Sequence, residues 1–359
     1  LETNFVVHRT SSKSILDQNA QSFVSQIRFI DLPVGIATER RGLFNVMSEP
    51  RHYSVIGAGA LGGFYGCRLQ RVGHRVSFLV RSDYDHVRQH GWRVDSKDGD
   101  FTLPTVDIYR TAEELPPADT VIIGLKTTEN HQLPQLLRTS MKPDGVALVL
   151  QNGIGIEEKV AEIVGRDRVI GGCCFLCCNK IGPGHIHHLD YGTIGMGELT
   201  HDGKPAPISE RLQSIANDFI RAGIHIELTD DLRLARWKKL VWNIPFNGLS
   251  VLLKAETNEI VGDPDLEQVV RNLMAEIVRA AAVDGRTIDQ AFVEQMIAYT
   301  KVMTPYRTSM RVDHDQGRPL EIEAIFHATL QIAESLGVDL PLVESLYRKL
   351  TFIDRKMRG

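Results

Sequence analysis

Apolar positions follow two regimes along this chain. Between residues 51 and 229, short apolar runs alternate with stretches of helical period. The strand-like runs fall at 52–57, 75–80, 119–125 and 145–150, with later ones near 168–177, 184–189, 192–198 and 223–228. Helical stretches lie at 61–72, 83–90, 130–139, 155–164 and 207–221. The runs at 120–125 and 146–150 are apolar almost without interruption, as befits strands covered on both faces. Such alternation predicts an α/β fold built on a doubly wound sheet. From residue 230 onward the strand signal is gone. Helical patterns at 231–253, 265–284, 289–302, 319–336 and 341–356 predict an all-helical C-terminal domain. The boundary falls at Thr229-Asp230-Asp231, dividing 51–229 from 230–359. A ligand cleft is expected between the two halves.

Residues 1–50 show neither period. Glu2, Asp17, Asp31 and Glu39 speak against a transit peptide, and no apolar signal core stands out. Met47 stands shortly before the first strand, about where such a protein often starts. The segment is expected to be a poorly ordered extension without a catalytic role. The net charge of −4, with no long basic run, argues against a general nucleic-acid surface. No apolar run is long enough to span a bilayer. Five cysteines, four of them in one patch, do not form a disulfide framework, and a reducing, cytoplasmic setting is expected.

The chemistry begins at Tyr53-Ser54-Val55-Ile56, which leads into Gly57-Ala58-Gly59-Ala60-Leu61-Gly62. A strand, a G-x-G-x-x-G turn and a helix in that order form a dinucleotide site. Gly57 permits the tight turn, Gly59 lets backbone approach a pyrophosphate, and Gly62 lets the helix pack closely on the sheet. The next strand ends at Arg81-Ser82, where an NAD site usually carries Asp or Glu. An arginine there suits a 2′-phosphate and favours NADP(H), while Asp83 is close enough to leave NAD open. Lys126-Thr127-Thr128 and Gln151-Asn152-Gly153 follow two further strands at the same sheet edge, where cofactors bind.

In the helical half, Lys239, Asn243 and Asn247 are spaced i, i+4, i+8 on an otherwise apolar helix, a narrow polar stripe that predicts the lining of a polar cavity. Further on, Ser309 precedes Asp313, and Gly317 and Pro319 punctuate a helix start that puts Glu321 in the first turn. Glu276 and Glu323 read most simply as solvated helix charges.

These features together resemble the ketopantoate reductase family over residues 52–355. The resemblance implies an N-terminal Rossmann-type domain, a helical C-terminal domain, NADPH as cofactor, and reduction of 2-dehydropantoate to (R)-pantoate on the way to pantothenate and coenzyme A. It implies Lys239 as general acid, and Asn243, Asn247 and Ser309 as holders of the substrate. Glu321 would anchor the meeting point of cofactor and substrate, with Asn152 beside the nicotinamide. Lys126, Arg81 and the backbone at Cys178 would face cofactor groups. The expected partner is a small 2-keto acid, with a homodimer as candidate assembly and neither nucleic acid nor membrane. His327 departs from the family, which commonly has glycine there, as does Thr257-Asn258, where Asn-Gly is expected. The imidazole either narrows the pocket or faces solvent. A reductase of another branched or aromatic 2-keto acid, or a non-catalytic NADP(H)-responsive protein, are the alternatives.

Cys174 and Cys177 have C-x2-C spacing, with His185, His187 and His188 downstream. The cysteines continue an apolar strand, however, and are expected to act as small buried hydrophobes, not as metal ligands.

Overall fold

The computed structural model describes residues 50–201 and 203–359. The N-terminal extension, except its last residue, lies outside them.

Among the described residues ten strands form a single sheet. They are β1 (His52–Ile56), β2 (Arg75–Leu79), β3 (Trp92–Ser96), β4 (Phe101–Leu103), β5 (Asp107–Tyr109), β6 (Ala118–Ile123), β7 (Met141–Val149), β8 (Val169–Gly182), β9 (His185–Glu198) and β10 (Ile226–Leu228). The order is β4-β3-β9-β8-β7-β6-β1-β2-β5, with β10 added beside β9. The β1–β2, β1–β6, β6–β7 and β7–β8 pairs are parallel, and β8–β9 is an antiparallel hairpin. Helices α1 (Ala60–Arg71), α2 (Tyr84–His90), α3 (Leu133–Ser140), α4 (Ile156–Val164) and α5 (Glu210–Arg221) connect them. Successive β1 side chains enter opposite cores. Tyr53 and Val55 pack with Phe64 of α1 and Phe219 of α5, whereas Ile56 packs with Leu136 of α3 and Val160 of α4. This double covering explains the continuous apolar runs.

The helical half comprises α6 (Leu232–Leu253), α7 (Thr257–Gly262), α8 (Pro264–Val283), α9 (Gln290–Val302), α10 (Ser309–Asp315), a π-helical turn over Glu323–His327, α11 (Ala328–Ser335) and α12 (Pro341–Arg358). Helix α6 is its axis and runs unbroken through Pro245. It is buried almost all round, and Lys239, Asn243 and Asn247 on it line a cavity. Leu240, Ile244 and Phe246 are fully buried, each stabilising the fold by about 1.5–3 kcal/mol.

Several expectations change. The runs at 184–189 and 192–198 are one bulged strand, β9. Strands β3, β4 and β5 were not expected: they are short, and β3 and β5 pair with strands that are not their chain neighbours, β9 and β2. The short helices α7 and α10 were also unexpected. Glu321 stands before its helix and not inside the first turn, its carbonyl accepting from Ile325 N–H at 3.3 Å. Glu276 is no solvated charge. Its buried carboxylate accepts from the Leu342 and Val343 N–H groups at 3.0–3.1 Å, so an anion caps the start of α12.

Candidate active site

A cleft of ≈ 440 Å³ opens where the carboxyl ends of β1, β2, β6 and β7 meet α6, α9 and α10. Its floor is the glycine turn. Gly57 has φ +92°, and a Cβ there would stand 2.2 Å from the Leu125 nitrogen. A Cβ on Gly62 would stand 2.3 Å from the Gly57 carbonyl oxygen. Gly59 differs: a Cβ there meets nothing within 4 Å, so the space above it is open. Gly59 also begins α1 with no side-chain cap and no acid in the first turn, leaving a helix N-terminus free to receive an anion. Ala58, Ala60 and Leu61 line the cleft alongside. The Cys178 thiol lies 3.6 Å from the Ala60 carbonyl oxygen, which brings β8 against the turn.

At the end of β2, Arg81 is exposed, hydrogen-bonded to Gln132 and 3.9 Å from Glu129. Asp83 is not available as an acceptor in the way its sequence position suggested. Both its oxygens lie 2.8 Å from Lys180 Nζ, and it also accepts from Gly184 N–H and from Ser82. Burial pushes this carboxyl up, but those donors outweigh it and hold it below its ordinary range.

The middle of the cleft joins the two halves. Lys126, after β6, reaches Asp313 Oδ2 at 2.7 Å and Glu321 Oε2 at 3.3 Å. Glu321 Oε1 accepts from the Thr127 N–H at 2.9 Å and its hydroxyl at 3.0 Å. Burial lowers the Lys126 ammonium, but the Glu321 and Asp313 carboxylates outweigh it and raise it. Across from them, Asn152 Oδ1 accepts from Asn243 Nδ2 at 3.4 Å. The turn carrying Asn152 is held by Arg236, one turn before Lys239 on α6. This guanidinium is buried, donates to the Gln151 carbonyl at 2.7 Å, and pairs with the equally buried Glu157.

At the inner end stand Lys239, Asn243, Asn247 and Ser309, all facing the cleft. Lys239 is 8% exposed and donates to the Cys174 carbonyl at 2.9 Å. Its Nζ lies 4.0 Å from the Phe175 ring centre and 5.9 Å from that of Trp242. Among the described residues no carboxylate lies within ion-pair distance of it. Burial therefore lowers this ammonium to about 8. Asn247 Oδ1 is buried without a partner, an acceptor aimed at no protein group. Tyr191, Tyr299 and Tyr306 complete an aromatic wall.

Residues singled out from both halves of the sequence thus share one cleft. Sequence reasoning missed Arg236, Asp313 as a partner of Lys126, Lys180 and the aromatic wall. It also left His327 open. That ring stacks on Tyr347 at 5.4 Å, pairs with Glu323, and does not line the cleft. Cys173, Cys174, Cys177 and Cys178 lie along β8, and among the described residues no three His, Cys, Asp or Glu side chains are grouped to hold a metal. No helix among the described residues is long and apolar enough to cross a membrane.

Comparison with known proteins agrees with this architecture. The family Ketopantoate reductase PanE/ApbA matches residues 53–201, and its C-terminal family matches residues 231–354. The chain is 52% identical to a 2-dehydropantoate 2-reductase of Nostoc sp. over 86% of this chain and 97% of that protein. Its fold resembles the crystal structure of 2-dehydropantoate 2-reductase from Geobacter metallireducens (41% identity, TM-score 0.80, covering 85% of this chain and 99% of that one). It also resembles the enzyme of that name from Methylococcus capsulatus (36% identity, TM-score 0.77, covering 86% and 98%). Fold, cleft and likeness define a pyridine-nucleotide-dependent oxidoreductase. The chain belongs to the ketopantoate reductase family.

Proposed function

We propose that this protein reduces 2-dehydropantoate to (R)-pantoate with NADPH, residues 51–229 binding the cofactor and residues 230–359 the substrate. The observation that carries the reading is Lys239: a buried lysine lowered to about 8, in the same cleft as a glycine turn and a free helix N-terminus. A dinucleotide fits the cleft's own features, namely the open space above Gly59 and the exposed Arg81 at the end of β2. Arg81 supports NADPH over NADH, because its planar fork suits a 2′-phosphate and Asp83 is already engaged by Lys180.

A bound nicotinamide supplies the hydride for the keto carbon. Lys239 holds a proton at Nζ, polarises the keto oxygen by hydrogen bonding, and donates that proton to it. The Phe175 ring and the Cys174 carbonyl keep the ammonium oriented. Asn243, Asn247 and Ser309 bind the carboxylate and hydroxyl of the substrate without adding buried charge. Glu321 fixes Lys126 and Thr127, and with Asn152 shapes the point where cofactor and substrate meet. A homodimer is part of the proposal, and sedimentation measures it. The five cysteines are all free, which supports a reducing, cytoplasmic setting.

An NADPH-oxidation assay with a panel of 2-keto acids tests the reading. Ketopantoate is expected to give the highest kcat/KM. A faster aromatic acid would move the assignment to another 2-keto acid. NADPH binding without turnover of any acid would point to a binding protein.

A further inference from the structure

Among the described non-glycine residues, only Tyr191 and Lys254 have positive φ, at 63° and 56°. Lys254 ends α6 in the left-handed conformation common at helix C-termini. Tyr191 lies inside strand β9, where such a backbone is unfavourable for a bulky side chain. Strain of this kind persists when the surroundings over-determine it, and it collects at ligand sites.

The surroundings of Tyr191 do over-determine it. His188 Nε2 lies 2.8 Å from the Tyr191 carbonyl oxygen, so this nitrogen carries the proton and donates. His188 Nδ1 then accepts from the Ser96 hydroxyl at 2.8 Å. The Tyr191 N–H donates to Asp190 at 2.9 Å, and Lys97 pairs with that carboxylate. The Tyr65 hydroxyl donates to the Gly192 carbonyl at 3.2 Å. The β8–β9 register shifts on either side, from Thr193 to Tyr191 and from Asp190 to His188. Bulges of this kind re-aim a side chain. Here the ring turns into the cleft, its centre 5.2 Å from that of Tyr299 on α9. The pair closes the cleft beside Trp242, whose Nε1 donates to the neighbouring Thr300 at 3.0 Å. A glycine or asparagine would hold the same turn without strain. What the position supplies is therefore the ring.

We propose that Tyr191, held against Tyr299 across the two halves, is a specificity-determining residue. The ring pair is the wall that limits the side chain of the 2-keto acid, favouring a compact branched acid over an extended or aromatic one. The proposal rests on the 2-keto acid reduction put forward above.

Tyr191→Gly removes ring and strain together. In the full-length protein it should leave the NADPH Kd unchanged and Tm unchanged or higher. The ratio of kcat/KM for phenylpyruvate to that for ketopantoate should rise about tenfold or more, mainly through KM. Tyr191→Phe keeps the ring and should keep the ratio of the unmutated protein. An unchanged ratio in a folded, NADPH-binding Tyr191→Gly protein overturns the proposal. An equal shift in Tyr191→Phe also overturns it, since the hydroxyl and not the wall would then be responsible. If the unmutated protein turns over neither acid, the reading beneath it fails, and the proposal falls with it.

Discussion

Lys239 holds its Nζ 4.0 Å from the centre of the Phe175 ring and donates to the Cys174 carbonyl, so its positive charge is kept against apolar surface with no carboxylate among the described residues to offset it. Such a cation is a ready proton donor. In the folded protein it titrates near 8, against 10.5 for an ordinary lysine. Accordingly kcat/KM for the keto acid should fall above pH about 8, with the slope of one proton. Lys239→Ala should lower kcat by about 10²–10⁴-fold or more and leave the NADPH Kd nearly unchanged. Lys238 is buried too, its Nζ 5.1 Å from the Phe292 ring centre, so Lys238→Met, which keeps the stem, is the control. Stability carries the opposite sign. Between pH about 8 and 10.5 the unfolded chain binds more protons, so Lys239 makes stability rise with pH across that window. Below 8 both states are protonated, and burying the cation opposes folding in full. A flat rate profile together with near-normal kcat in Lys239→Ala would remove Lys239 from the mechanism.

What the sequence disclosed about this site was what its local spacing carries. The glycine turn sits between a strand and a helix that follow at once. Lys239, Asn243 and Asn247 share a helix face by arithmetic alone. The rest depends on chain segments that meet only in the folded protein. Lys126 and Asp313 are 187 residues apart, and Arg236 and Glu157 are 79 apart, so no window of sequence shows either pair. Asp83 read as a free acceptor because Lys180, 97 residues later, was out of view. Strand β3 escaped notice for the same reason: its partner β9 lies far along the chain. Glu276 looked solvated because its hydrogen-bonding partners, at the start of α12, are 66 and 67 residues away.

Arg81 and Asp83 differ in what they leave free. Arg81 is exposed beside Gln132, whereas Asp83 is saturated by Lys180, Gly184 and Ser82. Arg81→Ala should therefore weaken NADPH by about 1.5–3 kcal/mol, the scale of one charge-assisted contact, and leave NADH nearly unchanged. Titration of both cofactors against both proteins measures this. Equal affinity for the two cofactors in the unmutated protein would sink the idea.

Arg236 and Glu157 form a buried pair that also braces the Asn152 turn. Removing one partner strands the other charge. Arg236→Ala should cost about 3–5 kcal/mol in denaturant unfolding. The double change Arg236→Met with Glu157→Leu should recover much of that stability, since a buried ion pair is often no better than apolar packing of similar volume. It should not recover kcat, because the Gln151 carbonyl loses its donor in both proteins. Full recovery of kcat in a stable double variant would show that Arg236 does not position the turn.

Gly57 and Gly59 lie two residues apart and should respond differently to the same added methyl. At Gly57 the new Cβ would stand 2.2 Å from backbone at Leu125, with φ at +92°, so Gly57→Ala must shift β1 against β6. It should lower Tm and NADPH affinity together. At Gly59 the new Cβ meets nothing within 4 Å, so Gly59→Ala should fold with an unchanged Tm. That empty space is where a pyrophosphate would lie against the free end of α1, and the methyl should keep it out. The expected signature is a protein of normal stability whose NADPH affinity has fallen by at least about tenfold, the factor that 1.4 kcal/mol represents. Calorimetric unfolding and a fluorescence titration of NADPH on the same samples read the two quantities. If Gly59→Ala binds NADPH normally, the cofactor does not cross this turn, and the glycines serve packing alone.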